Sequence, residues 1–386
     1  MTGLARRPTI SADRYAERLV RAGSVTADRG FDALLVGVGP DLRYLTGYEA
    51  LPLERLTMLV VPSGGGDSRL VAPRLELAAA RAGVRPDVTI VTWEETEDPH
   101  ALVATLVSDG GRPTKRVGVS DRLWASHLLR LQAALPGVAF ESATAVLRDL
   151  RMVKDPDEIE LLRLAAHAAD RVIARIAAGP LVGRTEADVA REVRERLLVE
   201  GHELAEFSIV ASGPNSASPH HEASERMIQA GEPVVLDIGG TLGGYGSDIT
   251  RMVWVTGGDP ARRPDPEYLR LYGVLQDAQE EATGAVRPGV ACERIDAVAR
   301  GIIDAAGFGP NFIHRTGHGI GLEGHEEPYL VAGNGEPLPE GAAFSVEPGI
   351  YLEGRYGARI EDIVVCGPSG PIVLNEAPRE LLVVNG

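Results

Sequence analysis

Along the first 150 residues, short runs of apolar residues alternate with stretches that have the spacing of an amphipathic helix. The helical stretches are 11–30, 74–83 and 123–135. The apolar runs, each long enough for one strand, are 32–38, 57–62, 69–73, 88–93, 115–120 and 138–143. Strands that alternate with helices predict an α/β domain around a mostly parallel sheet, and we assign it to residues 1–150.

The pattern changes after residue 150, where a strong helix start opens a second domain. Asp155 is a predicted N-cap, Pro156 stands at the first helical position, and Glu158 stands at the capping-box position. This helix should end before Gly179. The other predicted helices are 185–200, 264–286 and 292–308. The predicted strands are 207–213, 234–239, 248–256, 311–330, 342–352, 357–366 and 380–384. Helix pairs combined with antiparallel strands predict an α+β domain over residues 151–386.

The stretch VVLDIGGTLGGYGSDITR (234–251) is predicted to form two strands joined by a hairpin. Glycines at 239, 240, 243, 244 and 246 would allow a tight reversal with positive φ angles. The hairpin would bring Asp237 and Asp248 side by side. Because two carboxylates in an apolar hairpin repel each other and resist desolvation, they require a cation.

Three further polar residues lie on downstream strand-like stretches and could complete a cation site. They are His318 in TGHGIG, Glu347 in FSVEPG and Glu361 in ARIED. Strand alternation places Glu347 opposite an apolar face, where it can reach a polar centre. Carboxylates with one imidazole and no thiolate suit Mn²⁺, Co²⁺ or Mg²⁺ better than a structural zinc site. Four carboxylates exceed the need of one divalent ion, so two ions are expected, bridged by Asp248 and Glu361. Hydrolases use such pairs to activate water.

Other histidines and glycines have simpler interpretations. His314 and His318 have the i,i+4 spacing of a zincin helix, but the intervening glycines disfavour a helix there. The GHGIG glycines are not a dinucleotide motif, because no strand and helix flank them as that motif requires. His100 and His127 are isolated in sequence and are interpreted as surface or core residues. His221 is interpreted as a surface residue of its loop.

Composition and charge exclude several classes of protein. The chain has 386 residues, enough for two domains, and its net charge of −16 argues against nucleic acid or an anionic membrane surface as a partner. No apolar stretch approaches the ~20 residues of a membrane span, and the first residues contain no signal-peptide core. The two cysteines, Cys292 and Cys366, have no ligand spacing and are expected to be reduced and buried. We therefore expect a cytoplasmic protein.

Four motifs together resemble one enzyme family. DIGG…YGSDITR, HRTGHGIGLEGHEEP, SVEPGIY and ARIEDIV are similar to the pita-bread metallopeptidases, which include aminopeptidase P, prolidase and methionine aminopeptidase. The resemblance runs from about Lys154 to the end. The N-terminal domain resembles the extra domain of the creatinase, prolidase and aminopeptidase P branch, which methionine aminopeptidase lacks. The resemblance implies a pita-bread catalytic domain with a dinuclear metal centre. Its expected ligands are Asp237, Asp248, His318, Glu347 and Glu361.

The resemblance also implies roles for residues around that centre. His220 is expected to contact substrate and stabilise the intermediate, and His325 to bind the scissile carbonyl or the proline side. Glu347 is expected to shuttle the proton to the leaving nitrogen as well as to bind metal. The expected substrate-site residues are His314, Arg359 and Tyr245. For Arg359, simple pairing with Asp362 or Glu361 is the alternative.

The implied activity is metal-dependent hydrolysis of the N-terminal Xaa–Pro bond of dipeptides or short peptides. The implied cofactors are two divalent ions, Mn²⁺ or Co²⁺, and the implied assembly is a homodimer. Prolidases restricted to dipeptides often carry an arginine after the HE-x-P segment, where this chain has Tyr329. The choice between prolidase and aminopeptidase P therefore stays open. A metal-independent, creatinase-like amidinohydrolase and a non-catalytic peptide-binding relative are alternatives, and the complete ligand set argues against both.

Overall fold

The computed structural model describes residues 7–109 and 113–385, which form two compact units. One unit runs from Thr9 to Arg151, and the other comprises the described residues from Met152 onward together with Arg7 and Pro8. None of the described helices combines the length and apolar character that crossing a bilayer requires.

The N-terminal unit contains one six-stranded sheet in the order β4–β3–β2–β1–β5–β6. Its strands are β1 (Ala33–Gly37), β2 (Met58–Pro62), β3 (Arg69–Pro73), β4 (Thr89–Trp93), β5 (Arg116–Val119) and β6 (Ala139–Ser142). Its helices are α1 (Ala12–Asp28), α2 (Pro40–Thr46), α3 (Leu77–Gly83), α4 (Pro99–Ser108), α5 (Ala125–Ala134) and α6 (Thr144–Arg151). The predicted strands and the α/β class are confirmed, whereas α2, α4 and α6 were not predicted.

The sheet of this unit is mostly parallel, as predicted, although two of its five strand pairs are antiparallel. The β1–β5, β5–β6 and β3–β4 pairs are parallel, but β1–β2 and β2–β3 are antiparallel. A short loop joins β2 to β3, and two neighbouring strands joined so closely can pair only as an antiparallel hairpin.

His100 and His127 are buried in the N-terminal unit and are not isolated from each other. His100 Nε2 lies 3.1 Å from His127 Nδ1, and the other His100 ring nitrogen lies 3.2 Å from the Asp98 carboxylate. Asp98 also caps α4 by accepting from the amide of His100. Sequence separation conceals this contact because it arises from the packing of α4 against α5.

The C-terminal unit begins with the predicted capped helix. The Asp155 carboxylate accepts from the amides of Asp157 and Glu158, and the Glu158 side chain accepts from the Asp155 amide, which confirms the capping box. Glycine follows this helix at 179, as predicted. The helices of the unit are α7 (Pro156–Ala177), α8 (Glu186–Val199), α9 (Pro266–Gly284) and α10 (Cys292–Ala305).

Strands of this unit form a four-stranded sheet, a five-stranded sheet and a two-stranded ribbon. The first has the order β17–β9–β8–β7, the second β11–β10–β12–β15–β16, and the ribbon pairs β13 with β14. Their bounds are β7 (Leu204–Ser212), β8 (Glu232–Leu242), β9 (Tyr245–Val255), β10 (Gly317–Gly319), β11 (Glu326–Leu330), β12 (Ala343–Val346), β13 (Gly349–Leu352), β14 (Tyr356–Arg359), β15 (Asp362–Gly367), β16 (Gly370–Val373) and β17 (Leu382–Val384). The α+β class is confirmed. The predicted strands at 311–330, 342–352 and 357–366 each divide in two, and β16 was not predicted.

The two faces of β8 are buried against different neighbours. Val234, Leu236 and Ile238 pack in a cluster with apolar residues of α7 and α8. Val235, on the alternate face, packs in a second cluster with residues of α9, α10, β12 and β15. Asp237 belongs to this second face by strand alternation, so it lies between the sheets rather than under the helices. The free thiols of Cys292 and Cys366 are both buried, as predicted.

The β8–β9 hairpin turns at only two of the five glycines predicted to reverse the chain. Gly243 and Gly244 have φ angles of +63° and +84°. The glycines at 239, 240 and 246 lie within the strands instead. A Cβ at Gly239 would stand 2.3 Å from the Ser247 carbonyl oxygen, so close strand packing explains this glycine.

Candidate metal centre

Asp237 and Asp248 lie on one face of the β8–β9 ladder. Asp237 is paired with Thr250, and Asp248 is paired with Gly239 two positions further along β8. Antiparallel partners share a face, and so do residues two apart in a strand, so both carboxylates point the same way. Both are buried, at 6% and 5% exposure.

Asp248, His318 and Glu361 form the densest group of possible metal ligands in the described structure. One ligand atom from each residue lies within 4.8 Å of the others. Glu361 is held against β9, because its amide donates to the Thr250 carbonyl and its carboxylate accepts from the Thr250 hydroxyl at 2.8 Å. His318 comes from β10, so three separate chain segments supply the group.

Glu347 follows β12 and lies beside His318. Its Oε1 is 3.2 Å from His318 Nε2 and accepts from the Ser345 hydroxyl at 3.0 Å. Phe344 and Val346 pack into the apolar core, so the predicted division of this strand into an apolar and a polar face is confirmed.

The fifth predicted ligand, Asp237, has one oxygen engaged and one unengaged. Its Oδ2 accepts from the Arg359 guanidinium. Its Oδ1 is buried and has no hydrogen-bond partner among the described residues. A buried carboxylate oxygen without a partner costs free energy, which a cation would recover.

The imidazole of His318 is oriented as a metal ligand requires. Its Nδ1 lies 3.1 Å from the Gly319 carbonyl oxygen, which can only accept, so Nδ1 carries the proton. The lone pair of Nε2 therefore faces Asp248 and Glu347. Second contacts of this kind orient metal-binding histidines. The donor set, four carboxylates and one imidazole, fits hard divalent ions.

Charge repulsion is strong in this cluster. Burial, followed by the carboxylates of Glu361, Asp237 and Glu347, raises the pKa of Asp248 well above its usual range. Burial and the neighbouring carboxylates likewise raise the pKa of Glu361. For Asp237, burial also raises the pKa, although Arg359 opposes it. The protein alone therefore does not balance these charges, which is the condition that a bound cation relieves.

Arg359 and His314 belong to one hydrogen-bonded chain beside the cluster. Tyr351, which the sequence analysis did not single out, joins them: its hydroxyl lies 2.9 Å from His314 Nε2 and accepts from Arg359 at 2.7 Å. Arg359 also donates to the Thr250 hydroxyl. Arg359 thus pairs with Asp237, not with Asp362 or Glu361. Tyr351 stands four residues after Glu347 in SVEPGIY, and this closeness to a predicted ligand could have indicated Tyr351 from the sequence.

The five candidate ligands, together with His314 and Arg359, line a cavity of about 670 Å³. His220 and His325 stand at its exposed part. The rings of His325 and His318 are tilted by 31° to each other, with their centroids 3.8 Å apart. Burial, followed by the neighbouring His318 and Arg315, lowers the pKa of His325 to about 4, so this ring is neutral at pH 7. The cavity is also lined by Glu206, Phe207, Ile209, Pro219, Arg315 and Gly324, none of which was predicted.

Tyr245 is the one predicted site residue that does not line the cavity. Its ring is buried, and its hydroxyl donates to Glu158 Oε1 at 2.8 Å, on α7. Tyr245 is an odd-numbered residue of β9, whereas Asp248 is even-numbered, so strand alternation directs Tyr245 to the opposite face. The structure therefore does not bring Tyr245 to the predicted substrate site.

The loop that carries His220 is organised by Glu186, a fully buried carboxylate at the start of α8. Glu186 accepts from the amide and hydroxyl of Ser212 and from the amide and hydroxyl of Ser224. It also accepts from Asn215, and it lies 2.8 Å from His221 Nε2. His221 was interpreted as a surface residue, but it is half-buried and held by Glu186. Its partner lies 35 positions earlier, so no local pattern indicated it.

Replacing Glu186 with glutamine should destabilise the protein in a pH-dependent way. Burial opposes ionisation of Glu186, but the donors of Ser212, Ser224 and His221 outweigh it and lower its pKa from 4.5 to about 2. The resulting stabilisation, about 3 kcal/mol, is present above pH ~4.5 and is lost as the pH falls towards 2. The unfolding free energy of metal-free wild type should exceed that of E186Q at pH 7, and the difference should shrink by roughly 1 kcal/mol at pH 3.5.

Urea denaturation at the two pH values measures this difference. Glu195 on the exposed side of α8 provides the control, because E195Q makes the same charge change without removing a buried network. A difference between wild type and E186Q that stays constant with pH would show that Glu186 does not organise the loop through its charge.

The donor set on an α+β domain, preceded by an α/β domain, defines the class of two-domain metallohydrolases. The model of metallopeptidase family M24 matches residues 160–368, and the model of the creatinase/prolidase N-terminal domain matches residues 18–153. The chain belongs to metallopeptidase family M24, and it is an enzyme of the prolidase and aminopeptidase P branch. The predicted family and fold are confirmed.

Several relatives are similar over nearly their whole length. A probable dipeptidase PepE of Mycobacterium tuberculosis is 48% identical over 378 residues, which cover 97% of this chain and 98% of the relative. The crystal structure of dipeptidase PepE from Mycobacterium ulcerans is 47% identical, with a TM-score of 0.89, and covers 98% of this chain and 100% of its own. A prolidase structure from Thermococcus sibiricus is 36% identical, with a TM-score of 0.88, and covers 96% of this chain and 99% of its own.

Proposed function

We propose that this enzyme hydrolyses the N-terminal Xaa–Pro bond of dipeptides or short peptides with the help of two divalent ions, Mn²⁺ or Co²⁺. The observation that carries the proposal is the convergence of Asp248, His318 and Glu361 within 4.8 Å, beside the unpartnered Oδ1 of Asp237. Ions held by these residues and Glu347 would supply Lewis-acid activation of water and of the scissile carbonyl.

Glu347 is suited to accept and return a proton during the reaction. It lines the cavity, and one of its oxygens already contacts His318 and Ser345. A carboxylate in this position is a general base for an attacking water and afterwards a general acid for the leaving nitrogen. The leaving nitrogen of proline is a ring amine, which must gain a proton as the bond breaks.

His325 is suited to bind the scissile carbonyl. Arg315 Nη2 lies 3.0 Å from His325 Nδ1, and a guanidinium only donates, so Nδ1 is the acceptor and Nε2 carries the proton. This neutral donor can hydrogen-bond a carbonyl oxygen that gains negative charge. His220 also lines this cavity and is a second candidate donor for that role.

An apolar wall and the acidic residues support a peptide with a free N-terminus. Phe207 and Ile209 lie on β7 directly beside Gly239 and Asp237 of β8. The wall suits an apolar side chain or a proline ring, and carboxylates suit a protonated α-amine. Proline lacks an N–H, so the site does not need an acceptor for the scissile amide. The similar proteins named dipeptidase and prolidase also support a peptide substrate.

The test is hydrolysis of Ala-Pro, Ala-Pro-Ala and Ala-Ala by the chelator-stripped enzyme before and after addition of Mn²⁺ or Co²⁺. We expect no activity without metal and restored cleavage of a proline substrate with it. Cleavage of Ala-Pro alone would define a prolidase, and cleavage of Ala-Pro-Ala an aminopeptidase P. Equal cleavage of Ala-Ala would remove the proline specificity. Metal-independent hydrolysis of creatine, with no peptide cleavage, would favour the creatinase-like alternative.

A further inference from the structure

Arg315 presents a cation to the cavity that the described carboxylates leave unneutralised. Arg315 directly precedes Thr316 and β10, and its side chain is half-buried. Its guanidinium lies over the ring of Tyr329 on β11, with its carbon 4.3 Å from the ring centroid. One nitrogen contacts His325 at 3.0 Å. In the described parts of the chain, no carboxylate pairs with this guanidinium.

The other arginine that lines the cavity, Arg359, already forms an ion pair within the protein. Arg359 is buried, pairs with Asp237, and donates to Tyr351 and Thr250. These contacts use its charge within the protein. Of the two arginines that line the cavity, Arg315 is therefore the one able to bind an anionic group of the substrate.

We propose that Arg315 binds the carboxylate of the leaving residue and thereby selects dipeptides over longer peptides. The inference rests on the proposed peptidase function. In a dipeptide, the residue after the scissile bond ends in a carboxylate, whereas in a longer peptide the same position holds a neutral amide. A guanidinium binds a carboxylate through two parallel, charge-assisted hydrogen bonds, which a neutral carbonyl cannot reproduce.

Arg315 lies beside the residue expected to bind the scissile carbonyl. His318 belongs to the ligand cluster, the ring centroids of His325 and His318 lie 3.8 Å apart, and Arg315 contacts His325 at 3.0 Å. In a dipeptide, one residue of roughly 3.5 Å separates the scissile carbon from the terminal carboxylate. A guanidinium next to the carbonyl-binding histidine is therefore in a suitable place for that carboxylate.

Tyr329 stands where dipeptide-restricted prolidases often have an arginine. It supplies no charge, but its ring supports the guanidinium of Arg315. The β10–β11 pairing sets His318 opposite Tyr329, which brings the tyrosine ring next to the segment that carries Arg315. Stacking on an aromatic face restricts a long side chain and is compatible with its charge. The tyrosine in the position after HE-x-P therefore does not argue against a dipeptidase, because the cation comes from the segment that precedes β10.

The experiment compares Ala-Pro with its C-terminal amide, Ala-Pro-NH₂, in the Mn²⁺-loaded enzyme. Wild type should prefer Ala-Pro. In R315M, which removes the guanidinium and keeps an unbranched side chain, KM should rise about 10- to 100-fold more for Ala-Pro than for the amide, because the lost contact with His325 affects both substrates. R315K should recover part of the preference. Arg294 on the exposed side of α10 provides a control of equal charge change, and R294M should retain the wild-type preference.

A binding measurement separates failure of this inference from failure of the proposed function. Calorimetric titration with L-proline and L-prolinamide should show that R315M weakens only the binding of L-proline. If wild type cleaves neither substrate but binds L-proline through Arg315, the proposed peptidase function fails, whereas the proposed binding of a carboxylate by Arg315 is supported. If R315M loses activity equally on Ala-Pro and on its amide, the proposed carboxylate binding is overturned, because Arg315 would then act only by positioning His325. Unchanged L-proline binding in R315M would also overturn it.

Discussion

Asparagine in place of Asp248 is expected to lower kcat/KM for the peptide substrate by more than about 100-fold and to leave the metal-free protein at least as stable as wild type. The loss follows from removing one of three donors that converge within 4.8 Å; even changes to groups behind such donors cost about 10- to 100-fold. The stability follows from repulsion, because Asp248 is buried beside Glu361, Asp237 and Glu347.

The pH dependence of the metal-free protein has a definite sign. The pKa of Asp248 is raised in the folded state, so the unfolded chain releases this proton at lower pH. Stability is therefore lost as the pH rises from the unfolded pKa through the folded one. Asparagine at this position removes that loss. Metal-free D248N should consequently unfold at a higher temperature than metal-free wild type at pH 8.

Calorimetric melting with and without Mn²⁺ measures both effects. Wild type should gain melting temperature with Mn²⁺, because an ion that binds only the folded state stabilises it. D248N should show little gain. Asp277 on the exposed side of α9 offers a matched control, D277N, which should behave like wild type. Full activity and a wild-type response to Mn²⁺ in D248N would exclude Asp248 from the metal centre.

The second large effect is expected for Arg251, which lies directly after Thr250 on β9. Methionine at this position should lower the free energy of unfolding by about 3–5 kcal/mol, because it leaves the buried Asp362 without its only buried cationic partner among the described residues. The Arg251 side chain is 1% exposed and pairs with Asp362 at 2.6 Å. It also donates to the carbonyls of Thr250 and Glu361, and to two more in the C-terminal segment.

Arg379 provides an internal control for this prediction. It contacts the other oxygen of Asp362, but its side chain is 32% exposed. Water can replace much of what an exposed guanidinium contributes, so R379M should cost less than half as much as R251M. Denaturation of the metal-free variants measures both losses. If R251M and R379M lose the same free energy of unfolding, the burial of Arg251 does not strengthen its contribution to stability.

Much of the fold followed from local patterns. The capping box at Asp155 and the alternation of apolar runs are signals within a few residues, and the structure has the helix and the strands that they predict. Errors arose where the deciding contact is not local. The extra glycines of the β8–β9 stretch lie in the strands because neighbouring backbone packs against them, not because the chain turns there.

The residue types for a metal centre were readable in the sequence, but their grouping was not a local property. Five potential ligands come from β8, β9, β10, the end of β12 and the segment after β14. Each is a polar residue in an apolar stretch. Because burying such groups costs free energy unless a cation binds them, the pattern predicts a cation site. Which of them meet most closely depends on the pairing of Thr250 with Glu361, which joins segments more than a hundred residues apart.

By itself, the sequence determined the two-domain class, the capped helices and the acidic, single-histidine character of the site, because these depend on spacing and residue chemistry. Only the tertiary structure decided which face each side chain uses and which charges are neutralised within the protein. It directs Tyr245 to α7, pairs Arg359 with Asp237 and holds the half-buried His221 against Glu186. It leaves Arg315 without a described carboxylate partner beside His325. Charge compensation depends on distances of a few ångströms between distant segments, and those distances are set by packing.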